Sequence, residues 1–249
     1  MGSATDVIHQ WLSTDRPAVI FDFNGTLSND EPILFDIFSD LFRTHLGWAM
    51  TPDDYRTELL GRSDREIIEH AVTRHGRGTD GEVTQLLHMR KTAYAQRVAV
   101  EHPIDDTTVE LVNTLSAEGI PMAIVTGAQR DDVLAVLTSS PIGQVFAAVI
   151  TEEDVAEGKP HPEGFLMAAR LLRRQPSDVL VFEDSVPGVR GALAAGMHCI
   201  AVAGPEPSRE LSAVAPAMVT RLSAELWRDA QVTTPGASPP ASADPRPST

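Results

Sequence analysis

The chain has 249 residues, of which 42% are hydrophobic and 22% charged, and its formal net charge is −15. This length corresponds to one large domain, or to one domain with a smaller insert, and it is enough to bury a core. The acidic balance argues against a nucleic-acid partner, because phosphate backbones bind basic surfaces, and no run approaches the ~18 apolar residues needed to cross a membrane.

Five short apolar segments alternate with helical patterns along the chain. The first strand is predicted over 18–23 and ends at the turn residues Asn24 and Gly25. Four further strands are predicted over 121–126, 146–150, 178–182 and 198–203, with helices over 107–118, 131–137, 162–173 and 186–195. Strands that alternate with helices indicate parallel βαβ units, so the predicted fold class is α/β with a doubly wound parallel sheet.

A long segment after the first strand interrupts this alternation. From Glu31 to about Glu101 the apolar residues recur with helical spacing, and no convincing strand is present. Helices inserted there lie over the carboxyl end of the first strand, where open α/β sheets bind ligands. We therefore predict a helical cap over 29–102 on an α/β core formed by 1–28 and 103–230. The last segment, 231–249, is rich in Pro, Ser and Ala and is predicted to be a disordered tail.

Four polar motifs follow four of the predicted strands. They are Asp22-Phe23-Asn24-Gly25-Thr26-Leu27, Val125-Thr126-Gly127, Gly158-Lys159-Pro160 and Glu183-Asp184-Ser185. A turn, a strand end, a loop or a helix N-cap explains each motif taken alone. Because the carboxyl ends of parallel strands converge on one crevice, the four together predict a single site.

The side chains of these motifs suit phosphoryl transfer. Asp22, Glu183 and Asp184 supply the hard oxygen ligands that Mg²⁺ prefers, and a metal offsets the repulsion between carboxylates and a phosphate. Asp22 can then act as a nucleophile and form an aspartyl-phosphate. Thr126 and nearby backbone amides can hold phosphoryl oxygens, while Lys159, one of only two lysines, adds positive charge where the transition state is negative.

The set of motifs resembles that of the haloacid dehalogenase-like hydrolase superfamily, in the subgroup of phosphatases and β-phosphoglucomutase. The resemblance runs from about residue 18 to residue 203. The family motifs match the segment from Asp22 to Leu27, Thr126, Lys159 and the pair Glu183-Asp184. The resemblance implies a Rossmann-like core, a helical cap inserted after the first motif, and Mg²⁺ held by Asp22, Asp184 and the main-chain carbonyl of residue 24.

Asn24 departs from the family pattern. Phosphatases of this family carry a second Asp there, which protonates the leaving oxygen and then activates water. An amide can do neither, and positioned acid–base catalysis contributes typically ~10²–10⁴-fold. Three interpretations stay open: a cap His or carboxylate, or the substrate itself, takes over the proton transfer; the leaving group needs little protonation; or the protein is a catalytically impaired phosphate-ligand or partner-binding module.

Other relatives in the family fit the residues less well. A dehalogenase does not need the metal-binding Glu183-Asp184 pair. A phosphonoacetaldehyde hydrolase needs a cap lysine near position 62, where Arg62 cannot form an imine. A β-phosphoglucomutase usually has a His where this chain has Leu34, which together with Asn24 argues against a phosphosugar mutase.

The sequence therefore predicts a Mg²⁺-dependent phosphatase of a small phosphorylated metabolite. Asp22, Asn24 and Lys159 are the candidate catalytic residues, and Thr126, Gly127, Lys159 and Arg62 are candidates for binding substrate or phosphate. The candidate metal ligands are Asp22, Asn24, Asp184 and Glu183. We expect a monomer or homodimer with no nucleic-acid or membrane partner. The first sixteen residues do not resemble a secretory signal, and the single Cys199 fits a cytoplasmic protein.

Overall fold

The computed structural model describes residues 2–59, 62–204 and 207–232. Six parallel strands form one sheet in the order β3-β2-β1-β4-β5-β6. The strands are β1 Ala18–Phe21, β2 Met122–Val125, β3 Phe146–Ile150, β4 Val179–Glu183, β5 His198–Val202 and β6 Met218–Val219. The α/β class with a parallel sheet is therefore confirmed. The sixth strand was not predicted, because two residues are too short to show a periodicity.

The central strands are apolar except for Glu183 at the end of β4, because both faces of the sheet are covered. Every residue of β1, β2 and β4 is buried. Alternate residues of β1 enter two separate apolar clusters, Val19 and Phe21 on one side and Ala18 and Ile20 on the other. Successive side chains of a strand point to opposite faces, so a strand buried on both faces appears as a continuous apolar run.

Helices of the core cover both faces of the sheet. They are α1 Ala4–Leu12, α6 Asp106–Ala117, α7 Arg130–Ser139, α8 Glu163–Leu172, α9 Val186–Ala194, α10 Arg209–Val214 and α11 Ala224–Val232. The rings of Trp11 and Trp227 pack edge to face, 5.6 Å between centroids, and join α1 to α11. The predicted tail began too early, since Gln231 and Val232 belong to α11. The rest of that prediction, 233–249, lies outside the described residues.

A helical segment separates β1 from α6. It contains α2 Glu31–Leu46, α3 Pro52–Asp54, a π-helical turn Tyr55–Leu59, α4 Asp64–His75 and α5 Asp80–Glu101. Ser63 begins α4 with a capping box, in which its hydroxyl accepts from the Glu66 amide and the Glu66 carboxylate accepts from the Ser63 amide. Gly47, at a φ of 67°, ends α2 in the left-handed conformation that glycine adopts without strain. We call α2 to α5 with their connections the helical cap.

The helical cap has an apolar interior and touches the core near the sheet's carboxyl edge. Phe38, Phe42 and Tyr94 are fully buried in it. On the core side, Arg90 and Lys91 of α5 pair with Asp132 and Asp131 in the first turn of α7, the helix that follows β2. The cap therefore covers the end of the sheet to which the four motifs belong. In the described part of the chain, no helix is long and apolar enough to traverse a bilayer.

Candidate active site

Three strands and one loop bring the predicted catalytic side chains together. Asp22 follows β1, Thr126 follows β2, and Glu183 ends β4. Lys159, from the loop between β3 and α8, places its Nζ 2.5 Å from Asp22 Oδ1 and 2.5 Å from Glu183 Oε1. Side chains separated by up to 161 residues thus meet because parallel strands end at one edge.

Three carboxylates form the acidic side of this centre. Asp22, Glu183 and Asp184 each offer an oxygen, and these atoms all lie within 4.8 Å of one another. Burial raises the pKa of Asp22 despite the opposing charge of Lys159, and burial followed by the charge of Asp22 raises the pKa of Asp184. Each carboxylate disfavours ionisation of the other. A divalent cation relieves this repulsion and prefers oxygen ligands, so the donor set fits Mg²⁺.

The charge of Lys159 is retained although only 14% of the side chain is exposed. Burial alone lowers the pKa of an ammonium group, but the neighbouring charges of Asp22 and Glu183 outweigh this effect and raise the pKa of Lys159. The group is therefore a fixed cation beside the candidate nucleophile. It offsets only part of the charge of the three carboxylates.

Two glycines allow the carboxylates to sit against the backbone. A Cβ on Gly25 would lie 2.1 Å from Asp184 Oδ2, and the φ of Gly25, +81°, is itself unfavourable for other residues. A Cβ on Gly188 would lie 1.7 Å from Glu183 Oε1. Neither position has room for a side chain without displacing a carboxylate.

Glu183 is the most enclosed of the three acids. Its side chain is 0% exposed, and its Oε2 accepts from both the amide and the hydroxyl of Ser185, at 2.8 and 2.9 Å. Its other oxygen accepts from Lys159. Asp22 and Asp184, in contrast, line the cavity under the cap. This arrangement favours Asp22 and Asp184 as direct metal ligands and gives Glu183 a position behind them.

Two of the predicted phosphate-binding residues, Thr126 and Gly127, line the same cavity as Asp22. The hydroxyl of Thr126 is buried and accepts from the Ala128 amide at 3.0 Å, which leaves its own hydrogen available for donation. Gly127 and Ala128 form part of the cavity wall beside it. A Cβ added to Gly127 would meet nothing within 4 Å, so the wall is open at this point.

A cavity of about 540 Å³ joins this centre to the cap. Asp22, Thr126, Lys159 and Asp184 line it from the core, and α2, α4 and α5 line it from above. Arg62, the predicted cap contact, lines the cavity and is exposed. Leu34 lines it as well, at the place where mutases of the family usually carry a His. The volume suits a small metabolite.

Asn24 also lines the cavity, and its side chain is hydrogen-bonded to a neighbouring residue of the cavity wall. Its Nδ2 donates to Asp30 at 3.1 Å to Oδ1 and 2.8 Å to Oδ2. Asp30 in turn accepts from the hydroxyl of Tyr94, a fully buried residue of α5. The amide that replaces the expected acid thus belongs to a buried hydrogen-bond chain.

Three further residues of the site, Asp30, Tyr94 and Arg90, were not predicted from the sequence. Arg90, only 4% exposed, contacts Asp64 at 3.0 Å, pairs with Asp132, and lies over the Tyr94 ring at 4.6 Å from its centroid. Arg90 and Tyr94 are four residues apart and share one face of α5. This spacing shows that the two are neighbours, but only tertiary packing indicates that the face lines the cavity.

Known proteins resemble the chain over most of its length. Residues 19–202 match the family described as haloacid dehalogenase-like hydrolase. Validoxylamine A 7'-phosphate phosphatase of Streptomyces hygroscopicus subsp. limoneus is 31% identical over 183 residues, 73% of this chain and 83% of that one. Hexitol phosphatase A of Escherichia coli is 30% identical over 198 residues, covering 78% and 87%.

A solved structure agrees with these sequence matches. The crystal structure of CbbY from Rhodobacter sphaeroides in complex with phosphate has a TM-score of 0.70 to this chain at 25% identity, covering 83% of this chain and 94% of that one. The fold, the four motifs and the sequence matches thus agree. The chain belongs to the haloacid dehalogenase-like hydrolases, in the subgroup that contains phosphatases.

Proposed function

We propose that this protein is a Mg²⁺-dependent phosphomonoester hydrolase that acts on a small phosphorylated metabolite through an aspartyl-phosphate at Asp22. The observation that carries the proposal is the contact of Lys159 with both Asp22 and Glu183, beside Asp184, at the base of a cavity. A buried nucleophile beside a fixed cation and a carboxylate cluster suits attack on a dianionic phosphate.

Each residue has a role in two successive displacements. An Asp22 oxygen attacks phosphorus, the bond from phosphorus to the leaving oxygen breaks, and the leaving group departs as an anion that is protonated by solvent. Water then attacks the same phosphorus, the bond to Asp22 breaks, and a proton of that water passes to the released phosphate. Thr126, Gly127 and Lys159 hold the phosphoryl oxygens, while Arg62 contacts the leaving group at the rim of the cavity.

Asp22, Asp184 and the main-chain carbonyl of Asn24 are the proposed ligands of Mg²⁺, with Glu183 bound directly or through water. When bound, the cation neutralises carboxylate and phosphate charge. The support from this chain is the set of oxygens within 4.8 Å and the pKa values of Asp22 and Asp184, which are raised by burial first and then by the neighbouring carboxylates.

Asn24 restricts the substrates. An amide has no proton to give the leaving oxygen near neutral pH, so leaving groups that depart as stable anions should react best. Two relatives are named validoxylamine A 7'-phosphate phosphatase and hexitol phosphatase A. We infer for this chain only the class of small phosphorylated metabolites. A monomeric or homodimeric state and a cytoplasmic location are part of the proposal.

The test is phosphate release from substrates with leaving groups of graded pKa: acetyl phosphate, an aryl phosphate and a sugar phosphate. Wild type, Asp22→Asn and the control Asp40→Asn are compared with Mg²⁺ and with EDTA. Asp40 is an exposed carboxylate of α2 that pairs with Arg43. We expect turnover that requires Mg²⁺, favours acetyl phosphate and the aryl phosphate, persists in Asp40→Asn and is abolished in Asp22→Asn.

The same assay distinguishes the alternative that Asn24 favours, a phosphate-ligand or partner-binding protein. If wild type releases no phosphate from any of these compounds but still binds Mg²⁺ and inorganic phosphate, the hydrolase proposal is wrong and the binding protein takes its place. Full hydrolysis by a correctly folded Asp22→Asn variant would instead exclude Asp22 as the nucleophile.

A further inference from the structure

The side chain of Asp30 forms hydrogen bonds with Asn24 and with Tyr94 of the cap, and none with the amides of its own helix. Asp30 occupies the N-cap of α2, yet its side chain makes no capping hydrogen bond. An N-cap carboxylate usually accepts from the first helical amides, which stabilises the helix. Here it is 1% exposed, turned toward Asn24, and held on its other side by the Tyr94 hydroxyl.

This arrangement determines which atom of the Asn24 amide remains available to a ligand in the cavity. The carboxylate of Asp30 accepts hydrogen bonds, so the Nδ2 of Asn24 turns toward it and is shared between both oxygens. Burial, and then the charge of Asp30, raise the pKa of the Tyr94 hydroxyl, so this hydroxyl keeps its proton. It therefore donates to Asp30, whose carboxylate acts as the acceptor toward both Tyr94 and Asn24. Asn24 lines the cavity, and Oδ1 is the amide atom that Asp30 leaves free.

We propose that Asp30 is a positioning residue, which fixes the Asn24 amide so that Oδ1 accepts a hydrogen bond from the water that hydrolyses the aspartyl-phosphate. The inference rests on the proposed function and deepens it. Asn24 lies two residues after Asp22 and lines the same cavity, so its amide can hold a water near the phosphoryl group. The protein thereby orients the water of the second displacement, although no group at position 24 can protonate the leaving group.

The contact between Asn24 and Asp30 should make the substitution Asn24→Asp unfavourable. In Asn24→Asp, a second carboxylate would face Asp30 at the place where Nδ2 now lies 2.8 Å away, in a buried environment. Two carboxylates without a donor between them repel each other. In the double variant Asn24→Asp/Asp30→Asn the amide at position 30 donates to the carboxylate at position 24. The double variant thus keeps the net charge and the hydrogen bond, but position 30 is now the donor and position 24 the acceptor.

Rapid-mixing kinetics with p-nitrophenyl phosphate and Mg²⁺ test the positioning role, because they separate nitrophenol release from the hydrolysis that follows. In Asp30→Asn, Tyr94 still donates to the amide oxygen, so the new NH₂ group faces Asn24 and favours the flipped amide. We expect the second step to slow about tenfold, as for the loss of one hydrogen bond of ~1.4 kcal/mol, with a larger burst and little change in the first step. Asp40→Asn is the matched control on α2 and should behave as wild type.

Equal slowing of both steps, or unchanged turnover in Asp30→Asn, would show that Asp30 does not position Asn24 for the second displacement. A thermal melt of each variant accompanies the kinetics, so that a loss of folding is recognised. If wild type itself has no phosphatase activity, the proposed function fails. The melting temperatures of variants at positions 24 and 30 then still test the contact between Asn24 and Asp30.

A double-mutant cycle of Asn24→Asp and Asp30→Asn supplies that measurement. We expect Asn24→Asp alone to lower the melting temperature and Asn24→Asp/Asp30→Asn to recover most of the loss. If Asn24→Asp alone is as stable as the double variant, the proposed contact does not control position 24.

Discussion

Arg90 is predicted to hold the helical cap to the core, and Arg90→Met tests this. The guanidinium is buried between Asp64 of α4, at 3.0 Å, and Asp132 of α7. Met fills a similar volume but carries no charge, so the variant leaves two buried carboxylates without their cation. Removal of one partner from a buried ion pair costs about 3–5 kcal/mol. For a chain of this size, that corresponds to a fall in melting temperature of roughly 6–20 °C, at about 2–4 °C per kcal/mol.

The pH dependence of this loss identifies its cause. Burial raises the pKa of Asp64 to about 6, although Arg90 opposes the shift, and burial also raises the pKa of Asp132. A carboxyl with a higher pKa in the folded state binds more protons when folded, so its contribution to stability falls as pH rises from about 4 through 6. Without Arg90 the pKa of Asp64 should rise further. The loss in Arg90→Met should therefore be larger at pH 7 than at pH 5.

Urea unfolding, followed by far-ultraviolet circular dichroism at both pH values, measures the effect. The triple variant Arg90→Met/Asp64→Asn/Asp132→Asn removes the unpaired charges and should recover most of the stability at pH 7. A loss below about 1 kcal/mol in Arg90→Met, the range of an exposed pair, would refute the reasoning. So would a loss that is the same at pH 5 and pH 7, or a triple variant no more stable than Arg90→Met.

Three further predictions concern the metal centre and the core. Mg²⁺ should raise the melting temperature of wild type, because a Mg²⁺ concentration of one hundred times the dissociation constant stabilises the folded state by about 2.7 kcal/mol. A similar rise in the melting temperature of Asp184→Asn would exclude Asp184 as a ligand. Gly25→Ala should weaken Mg²⁺ binding measured by calorimetry, because the new Cβ would meet Asp184 Oδ2 at 2.1 Å; unchanged affinity would contradict this placement. Trp227→Ala should cost about 3–5 kcal/mol in urea unfolding, because it removes the contact with Trp11 and the hydrogen bond to Glu118; a loss under 1 kcal/mol would mean that α11 contributes little to the core.

Local patterns predicted most of the core of this protein. The strands β1, β2 and β4 are apolar runs, up to Glu183 in β4, because both of their faces are covered, and polar, turn or cap residues mark where they end. The segment α10 to α11 with β6 was not predicted, since β6 has two residues and α11 depends on packing of Trp227 against Trp11. Such contacts are long-range and leave only a weak periodic signal in the sequence.

The four motifs were also readable from the sequence, because a topological rule connects them. Residues at the carboxyl ends of parallel strands converge whatever the loops between them, so Asp22, Thr126, Lys159 and Asp184 could be assigned to one site without coordinates. The exchange of an acid for Asn24 could be seen in the same way. The role of each of these side chains stays a proposal until the variants are measured.

Only the tertiary structure decided what surrounds Asn24. Asp30 stands at a helix N-cap, where its sequence position predicts a local capping bond, but its carboxylate instead joins Asn24 to Tyr94, sixty-four residues further along the chain. Likewise, Arg90 looks like any arginine of a polar helix until Asp64 and Asp132 are seen to enclose it. The sequence by itself determined the fold class and the chemistry of the motifs, because periodicity and strand ends are local. The hydrogen bonds and ion pairs of Asp30, Tyr94 and Arg90 depend on how the cap packs on the core, and no local sequence pattern predicts that packing.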